Sequence, residues 1–267
     1  MGEPLAKATR VYVRRGGLRP RGFPARGFGL SSGQRNHFLI CRMDDELRPT
    51  RVWDLPTRLF HWLLALSVVA QVITGQIGGN WLEWHMKIGL FVGALLVFRL
   101  VWGLVGGHWS RFANFIYAPG TVLRYLRGDH RPGDHFEVGH SPLGAFSVFA
   151  LIGLLVLQVA TGLFADDEIA TTGPLNRFVA TANGLYATMW HRGPGRWGLI
   201  ALVLLHVAAI IEYHRRGKNL VRPMVLGDKP LPPGVPASTD SASTRLVALV
   251  LVALCGALAY WVASLRG

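Results

Sequence analysis

Residues 190–206 read WHRGPGRWGLIALVLLH. Most of this stretch can form an apolar helix inside a lipid bilayer, but His191 opens the apolar run and His206 lies well inside it. An imidazole at membrane depth is costly, so each is a candidate functional residue. Because a helix rises about 1.5 Å and turns about 100° per residue, the two histidines lie about 22 Å apart and within roughly 60° of one face. The stretch therefore predicts one helix that serves two sites at different depths.

The overall composition indicates a membrane protein. The chain has 267 residues, of which 51% are hydrophobic and 16% are charged, and its net charge is +13. So apolar a chain is unusual for a soluble domain, and in a membrane protein the basic surplus favours contact with anionic lipid rather than nucleic acid. The two cysteines, Cys41 and Cys255, form no Cys-x-x-Cys-His motif. They give no sign of covalently attached c-type haem or of a zinc or iron–sulfur site.

Apolar runs divide the chain into spans and connections, with no evident internal repeat. Five runs are long enough to cross a bilayer, at about residues 57–77, 82–105, 142–164, 195–213 and 245–264. Asp54 and Pro56 mark the start of the first span, and residues 119–127 are expected to form a short helix at the membrane surface. The sequence thus predicts an all-α fold, a transmembrane four-helix bundle with a fifth, C-terminal transmembrane helix.

The segments around the spans complete the domain organisation. Residues 1–50 are rich in Arg and Gly and are expected to be a basic, disordered tail, or else an over-extended gene start with Met43 as the true first residue. Residues 165–190 are expected to form a polar loop. The later parts are the four-helix domain, a Pro-rich linker and the additional transmembrane helix, at residues 51–229, 230–244 and 245–267.

The distribution of charged residues predicts the orientation. Lys and Arg are concentrated before the first span and in the second-to-third and fourth-to-fifth connections, whereas the third-to-fourth connection carries Asp166, Asp167 and Glu168. Short loops rich in Lys and Arg stay in the cytoplasm. The N-terminus is therefore expected to be cytoplasmic, and five spans then place the C-terminus in the periplasm.

Four histidines match in depth across the predicted bundle. His61 and His206 lie in the cytoplasmic halves of the first and fourth spans, and His85 and His191 lie near the outer ends of the second and fourth. Two imidazoles that face each other across a bundle core can hold one haem iron. Any one of them, taken alone, is equally an interfacial residue. His140, at the start of the third span, is a spare candidate ligand.

Two arginines are candidate partners of haem propionates. Arg99, near the cytoplasmic end of the second span, either extends its side chain to the interface or forms a bidentate pair with a propionate, and the sequence favours neither. Arg58 is a weaker candidate of the same kind. Glycines such as Gly75 and Gly153 either give clearance for a flat macrocycle or only permit close helix packing.

Several motifs resemble the bacterial cytochrome b561 family, which includes the cytochrome b subunits of nickel–iron hydrogenases. The motifs are VWDxxxRxxHW at 52–62, WHxxxG at 84–89, RxxWG at 99–103, GHSPLG at 139–144, LHVA at 205–208 and NLVRxM at 219–224. Together they are specific, and they extend over about residues 51–229.

The resemblance implies two non-covalent b-type haems, each with two histidine ligands, in a four-helix bundle. Carried over by position, the ligands are His61 and His206 on the cytoplasmic side and His85 and His191 on the periplasmic side. The family's fourth-helix histidines are usually one residue closer than His191 and His206. The Gly-Pro-Gly sequence at 193–195 could absorb the extra residue as a bulge, because Pro and Gly disrupt the regular helical ladder.

A haem iron with two protein ligands has no open position, which suits electron transfer. The first hypothesis is therefore a dihaem cytochrome b of a bacterial inner membrane, an electron-transfer subunit of an oxidoreductase system. It would connect the quinone pool with a redox partner, either a periplasmic c-type cytochrome or a dehydrogenase such as a hydrogenase. A quinone is expected beside the cytoplasmic-side haem.

Two alternatives stay open at the level of the sequence. One is a superoxide:quinone oxidoreductase, known for some family members, which would need a basic approach to the outer haem. Arg177, Arg192 and Arg196 could supply that approach, but the nearby acidic residues argue against it. The other is a haem-free scaffold or transporter in which the histidines form a proton relay.

Overall fold

The structure is a computed structural model that describes residues 47–129, 131, 134–169 and 171–265. The tail expected at residues 1–50 lies outside this range except for residues 47–50, and so does the alternative start at Met43.

Helices dominate the described part of the chain. In order, they are α1 (Leu55–Ile77), α2 (Trp81–Val105), α3 (Pro119–Arg127), α4 (Pro142–Phe164), α5 (Thr181–Trp190), α6 (Arg196–Arg215), α7 (Val221–Leu226) and α8 (Ala242–Ser264). Short 3₁₀ turns occur at His108–Ser110, Phe112–Asn114 and Asn176–Phe178. A two-stranded antiparallel ribbon pairs β1 (Arg48–Arg51) with β2 (Asp228–Leu231).

The predicted multi-pass, all-α fold is confirmed. Within the described residues, five helical segments are long and apolar enough to cross a membrane. The first begins as the sequence predicts, because the Asp54 carboxylate accepts a hydrogen bond from the backbone N–H of Thr57 at 2.8 Å. Pro56 occupies the first turn, where its missing N–H costs nothing. The surface helix α3 and the third span α4 have the predicted bounds.

The fourth span begins earlier than predicted. Residues 165–190 were expected to form a loop, but α5 occupies Thr181–Trp190, and it continues into α6 as one span of 35 residues. The two helices join through a π-helical turn at His191–Gly195, in which Gly193 adopts φ −103° and ψ −108°. This wide turn accommodates Pro194, whose ring and missing N–H would break a regular helix. The predicted start of the span after the Gly-Pro-Gly sequence is therefore wrong.

The bundle consists of α1, α2, α4 and the continuous α5–α6 helix. α2 packs against α1 and α4, and α4 packs against both α5 and α6. The shared core is a layer of aliphatic side chains from all four helices of the bundle, namely Leu64, Val68, Val92, Leu96, Leu155, Leu199 and Val203. In lipid, close van der Waals packing of this kind holds helices together. Along α6, Leu199 and Val203 lie between His191 and His206, so the layer separates the two histidine levels.

The fifth span, α8, packs against α2 and also contacts α1. Its Ala248 and Cys255 join a buried cluster with Phe60, Leu95, Phe98 and Trp102. α8 carries no histidine. It therefore covers one side of the first helix pair and supplies no histidine to either level.

The Pro-rich segment between β2 and α8 is fixed to the ends of the bundle helices. The hydroxyl of Ser238 donates to the Val52 carbonyl at 2.6 Å and accepts from the backbone N–H of Trp109 at 3.1 Å. The indole N–H of Trp109 donates to the Pro236 carbonyl at 2.7 Å. Together with the β1–β2 ribbon, this segment forms a cap over the start of α1 and the end of α2. Hereafter, residues 48–54 and 227–240 are called the cap.

Asp54 connects the start of α1 with the end of α2. It is 0% exposed. Besides the capping bond, its carboxylate accepts hydrogen bonds from the Ser110 hydroxyl at 2.6 Å, the Gly107 N–H at 3.1 Å and the Trp102 indole at 3.2 Å. A buried carboxylate needs such a set of donors to offset the loss of water. The network fixes the position of the first turn of α1 relative to the cap, and hence the position of His61 along the bundle axis.

Candidate functional site

The outer histidines, His85 on α2 and His191 in the π-helical turn, face each other. Their ring centres are 5.9 Å apart and their planes are inclined by 87°. Two in-line metal–imidazole bonds of about 2 Å each, together with the two ring radii, require roughly 6 Å between ring centres. One metal ion at the centre of a flat macrocycle therefore fits between them.

Hydrogen bonds fix the tautomer of both outer rings. Nδ1 of His85 lies 3.1 Å from the Gln71 carbonyl oxygen on α1, and Nδ1 of His191 lies 2.9 Å from the Gln158 carbonyl oxygen on α4. A carbonyl oxygen can only accept, so Nδ1 of each ring carries the proton and donates it. Nε2 of each neutral ring therefore keeps a free lone pair, which is the form that binds a metal.

The residues that hold these rings belong to a short repeat. Residues 71–75 read QVITG and residues 158–162 read QVATG. In each copy the Gln carbonyl accepts from a histidine, and the Thr hydroxyl oxygen lies near the same Nδ1, at 3.3 Å for Thr74 and 3.4 Å for Thr161. The two glutamines and two threonines are missing from the sequence-based candidates, whereas Gly75 is among them, and the expectation of no internal repeat is corrected here. The near-identity of the two five-residue segments is the signal that could have revealed them.

Glycines at the ends of the two segments leave room for the rings. A Cβ at Gly75 would lie 3.1 Å from Cε1 of His85, and one at Gly162 would lie 2.9 Å from Cε1 of His191. Any side chain there would displace the imidazole. Several buried polar atoms of adjacent residues have no hydrogen-bond partner in the described part of the chain, namely Gln71 Oε1, Gln158 Oε1, Trp190 Nε1 and Arg196 Nε. Such atoms are rare in a finished interior and indicate a place for polar groups of a ligand.

The π-helical turn sets the position of His191. The side-chain amide of Gln158 donates to the His191 carbonyl at 2.7 Å, so the same residue holds the backbone and, through its own carbonyl, the ring. The sequence predicts that Gly-Pro-Gly absorbs one extra residue as a bulge. The π-helical turn at this place confirms the bulge.

The inner histidines, His61 on α1 and His206 on α6, lie on the other side of the aliphatic layer. The two rings lie near each other across the bundle. Nδ1 of His61 is buried and, within the described residues, has no hydrogen-bond partner. In contrast to the outer rings, no carbonyl fixes the tautomer of His61.

Arg99 and His140 lie close to the inner pair. Arg99 is 3% exposed, its guanidinium lies 4.5 Å from the centre of the Phe112 ring, and its Nη1 has no partner among the described residues. His140 packs against the rings of Trp53 at 4.8 Å and Phe115 at 4.5 Å. Burial, reinforced by the positive charge of Arg99, lowers the pKa of His140 to about 3 and keeps the ring neutral. A buried guanidinium with a free N–H favours pairing with a carboxylate over extension to the interface.

Arg58 contacts the chain after the fourth span. Its Nη1 donates to the Val225 carbonyl at 2.6 Å, and its Nη2 lies 3.9 Å from an Asp240 carboxylate oxygen. Its Nε is buried without a partner in the described chain. Because Nη1 and Nη2 already contact the chain beyond the fourth span, Arg58 stays a weaker candidate than Arg99.

The two levels together match the needs of two b-type haems. Each level offers imidazoles from facing helices, and the inner level adds the Arg99 guanidinium, whose Nη1 has no partner among the described residues. Aromatic rings line the inner level, with Phe115 and Phe149 5.4 Å apart and Phe112 and Phe149 5.6 Å apart. Apolar walls, paired axial ligands and a cation suit a flat macrocycle with carboxylate substituents. The role of the four histidines as iron ligands stays a prediction.

Comparisons with known proteins point the same way. A family model described as prokaryotic cytochrome b561 matches residues 52–227. A probable Ni/Fe-hydrogenase B-type cytochrome subunit of Cupriavidus necator is 27% identical over 215 residues, covering 68% of this chain and 87% of that protein. A protein of the same description from Bradyrhizobium diazoefficiens is 25% identical over 219 residues, covering 68% and 87%. The probable Ni/Fe-hydrogenase 1 B-type cytochrome subunit of Escherichia coli K12 is 24% identical over 190 residues, covering 58% and 80%. No solved structure matches the chain.

Proposed function

The chain belongs to the prokaryotic cytochrome b561 family, and from this premise we propose that it carries electrons across the inner membrane between the quinone pool and a hydrogenase. A b-type cytochrome binds haem b, which supplies reversible one-electron chemistry at its iron. The protein's part is to hold that group at fixed depths, to keep water from it and to present it to partners on either side.

His85 and His191 are the ligands of the outer haem in this proposal, and His61 and His206 are those of the inner haem. The outer pair is the observation that carries the assignment. Its ring centres are 5.9 Å apart, and both Nδ1 protons are donated to carbonyl oxygens, which leaves both Nε2 atoms free. Two protein ligands leave no open position on the iron, which suits electron transfer better than oxygen chemistry.

Arg99 is the propionate partner at the inner level. Its guanidinium is buried beside Phe112, and one of its N–H groups is unpaired within the described residues. A carboxylate there would complete its hydrogen bonding and neutralise its charge. Arg58, through Nε, is the second candidate.

The hydrogenase partner is suggested by the relatives, which are described as Ni/Fe-hydrogenase cytochrome subunits. Arg48 and Arg222 lie at the end of the bundle that bears the cap, and such basic residues favour a cytoplasmic location for that end. Asp167 and Glu168 lie at the opposite end of the bundle. In this orientation the outer pair faces a periplasmic partner, and quinone exchanges electrons near the inner pair. A periplasmic c-type cytochrome is the alternative partner.

The superoxide:quinone alternative is not favoured by the outer site. Arg196, one of the basic residues it would require, donates to the Gln76 side chain at 2.6 Å and stacks on the Trp197 ring at 4.8 Å. These contacts fix the position of the guanidinium but leave its charge in place. The nearby acidic residues Asp166, Asp167 and Glu168, which would repel an anion, are what argues against this alternative.

Haem spectra of purified variants test the ligand assignment. We expect His61→Ala and His206→Ala to remove the same haem, and His85→Ala and His191→Ala to remove the other, as measured by haem content and reduced-minus-oxidised spectra. If His61→Ala and His85→Ala remove one and the same haem, the pairing is wrong. Absence of haem from the unaltered protein would refute the proposal as a whole.

Reduction of the haems in native membranes tests the partner. Hydrogen gas should reduce both haems when the hydrogenase is present, and added quinone should reoxidise them. Reduction that occurs with a reduced c-type cytochrome but not with hydrogen would identify the alternative partner.

A further inference from the structure

We propose that the segments Gln71–Gly75 and Gln158–Gly162 are two matched clamps, and that the hydroxyls of Thr74 and Thr161 are positioning groups that set the ring planes of the outer ligands. The inference rests on the proposed function, since it takes His85 and His191 to be ligands of one haem. These clamps act through the imidazoles, without touching the iron.

The hydroxyl protons of both threonines are already committed. Thr74 Oγ1 donates to the Ala70 carbonyl at 2.8 Å, and Thr161 Oγ1 donates to the Leu157 carbonyl at 2.9 Å. Each oxygen therefore turns its lone pairs outward, toward the Nδ1–H of the histidine on the neighbouring helix. Nδ1 of His85 thus has two acceptors, the Gln71 carbonyl at 3.1 Å and Thr74 Oγ1 at 3.3 Å.

The second clamp repeats this arrangement on α4. Nδ1 of His191 lies 2.9 Å from the Gln158 carbonyl and 3.4 Å from Thr161 Oγ1. In both clamps the terminal glycine lies beside Cε1 and Nδ1 of the ring, so the glycine and the two acceptors together bound the same edge of the imidazole. Rotation of the imidazole about its Cβ–Cγ bond, in either direction, moves Nδ1–H away from these two acceptors.

The two clamps hold the rings nearly perpendicular, at 87°. Perpendicular axial imidazoles leave the iron d-orbitals of a low-spin ferric haem close in energy, which produces a strongly anisotropic electron paramagnetic resonance signal. Parallel rings produce a more rhombic signal. The ring angle can therefore be measured on the loaded protein without any assay of activity.

The clamps also affect how strongly the two outer histidines bind the iron. A hydrogen bond from Nδ1–H to an acceptor makes Nε2 more basic and steadies the ligand, and loss of such a partner typically weakens metal binding by about 10- to 100-fold. More basic ligands favour the ferric state. Loss of a clamp hydroxyl should therefore raise the midpoint potential of the outer haem. His61, whose Nδ1 lacks a partner among the described residues, has no equivalent clamp.

Thr74→Val and Thr161→Val, made singly in the full-length haem-loaded protein, test the proposal. Valine keeps the shape of threonine and removes the acceptor. We expect the outer-haem resonance to become less anisotropic, its potential to rise, and its transfer to apomyoglobin to accelerate by about tenfold. The inner-haem resonance and potential should not change. Thr74→Ser and Thr161→Ser are the matched controls, because they keep the hydroxyl, and they should behave as the unaltered protein does.

Two results would overturn the inference while leaving the proposed function in place. One is a pair of valine variants whose outer-haem resonance, potential and transfer rate equal those of the unaltered protein. The other is a pair of serine variants that behave as the valine variants do, since the methyl group rather than the hydroxyl would then matter. Absence of both haems from the unaltered protein is a different outcome, and it would refute the proposed function itself.

Discussion

Gly162 shows how the lack of a side chain can decide where an imidazole lies. The glycine backbone on α4 approaches the edge of the His191 ring so closely that a Cβ would lie 2.9 Å from Cε1. Gly153, on the same helix, has open space around it, with no atom within 4 Å of the position of a Cβ. For Gly153, and for Gly75 at the matching position on α1, the sequence offers the same two explanations, clearance or packing, and only the structure separates them.

Gly162→Ala is expected to weaken the outer haem site. The added methyl group must displace the His191 ring, because the backbone of α4 cannot move without disturbing its packing against α6. We expect a loss of most of one haem per chain, measured by pyridine haemochrome, with the inner haem retained. Gly153→Ala is the control and should keep both haems. Equal haem content in the two variants would show that the glycine is not needed for clearance.

His140 is expected to make the protein acid-labile. Its pKa is lowered to about 3, mainly by burial, so between pH 3 and the ordinary value near 6.5 the unfolded chain binds more protons than the folded one. Above about pH 6.5 the ring is neutral in both states and costs no stability. As the pH falls toward 3, the free energy of unfolding decreases by up to about 1.4 kcal/mol per pH unit.

Replacement by an uncharged ring should remove this dependence. We expect the melting temperature of His140→Phe to fall less between pH 7.5 and pH 5 than that of the unaltered protein, as measured in detergent by circular dichroism. His214→Gln, an exposed change at the end of α6, should keep the original pH dependence. A His140→Phe protein as acid-labile as the unaltered one would exclude this ring as the cause.

At the scale of single elements, the continuous α5–α6 helix carries two of the four proposed ligands, His191 and His206. Its π-helical turn adds one residue between His191 and His206 without letting the two faces diverge, as the Gly-Pro-Gly sequence predicts. What the sequence does not reveal is that helix precedes the turn. Gly184, Gly193 and Pro194 all count as helix breakers by local propensity, and packing of α5 against α4 overrides them.

Insertion of one alanine after Ala201 is expected to separate the two sites. The added residue turns the rest of α6 by about 100°, so His206 leaves the face that it shares with His191. We expect loss of the inner haem alone, seen as one missing component in a redox titration. The same insertion after Lys218, in the loop beyond α6, should preserve both haems. Survival of the inner haem in the first variant would contradict the two-level arrangement.

The sequence predicted some parts of the site and not others, for physical reasons. His61, His85, His191 and His206 could be found because imidazoles in an apolar run are costly and therefore conspicuous. The clamps could not be found in that way, since their main acceptors are backbone carbonyls, which any residue possesses. Arg99 was left between two alternatives because only its burial, at 3% exposure, distinguishes them.

At the scale of the whole molecule, the fifth helix supplies no histidine to either level and is attached to the cap. Its start is bound through Arg245, whose side chain donates to Asp240 at 3.0 Å, and Asp240 lies 3.7 Å from Arg51 at β1. Its middle packs on α2 through Ala248 and Cys255. The family match ends at residue 227, before this helix begins.

Truncation after Leu231 is expected to lower stability and to leave the haems in place. It removes α8 and the bonds of Pro236 and Ser238 to Trp109, and it exposes the apolar face around Phe98. All four candidate ligands remain. We expect a melting temperature lower by several degrees with unchanged haem content, whereas removal of residues 265–267 should change neither. Loss of a haem on truncation would assign α8 a direct part in a site.

The pairing of Arg48 with Leu231 also dictates an order of assembly. A ribosome releases β1 before any span and β2 only after the fourth, so the first strand waits without its partner while the histidine-bearing helices enter the bilayer. Closure of the ribbon is thus among the last steps of biogenesis. During translation the end of the bundle that the cap later covers therefore stays open until the two strands meet.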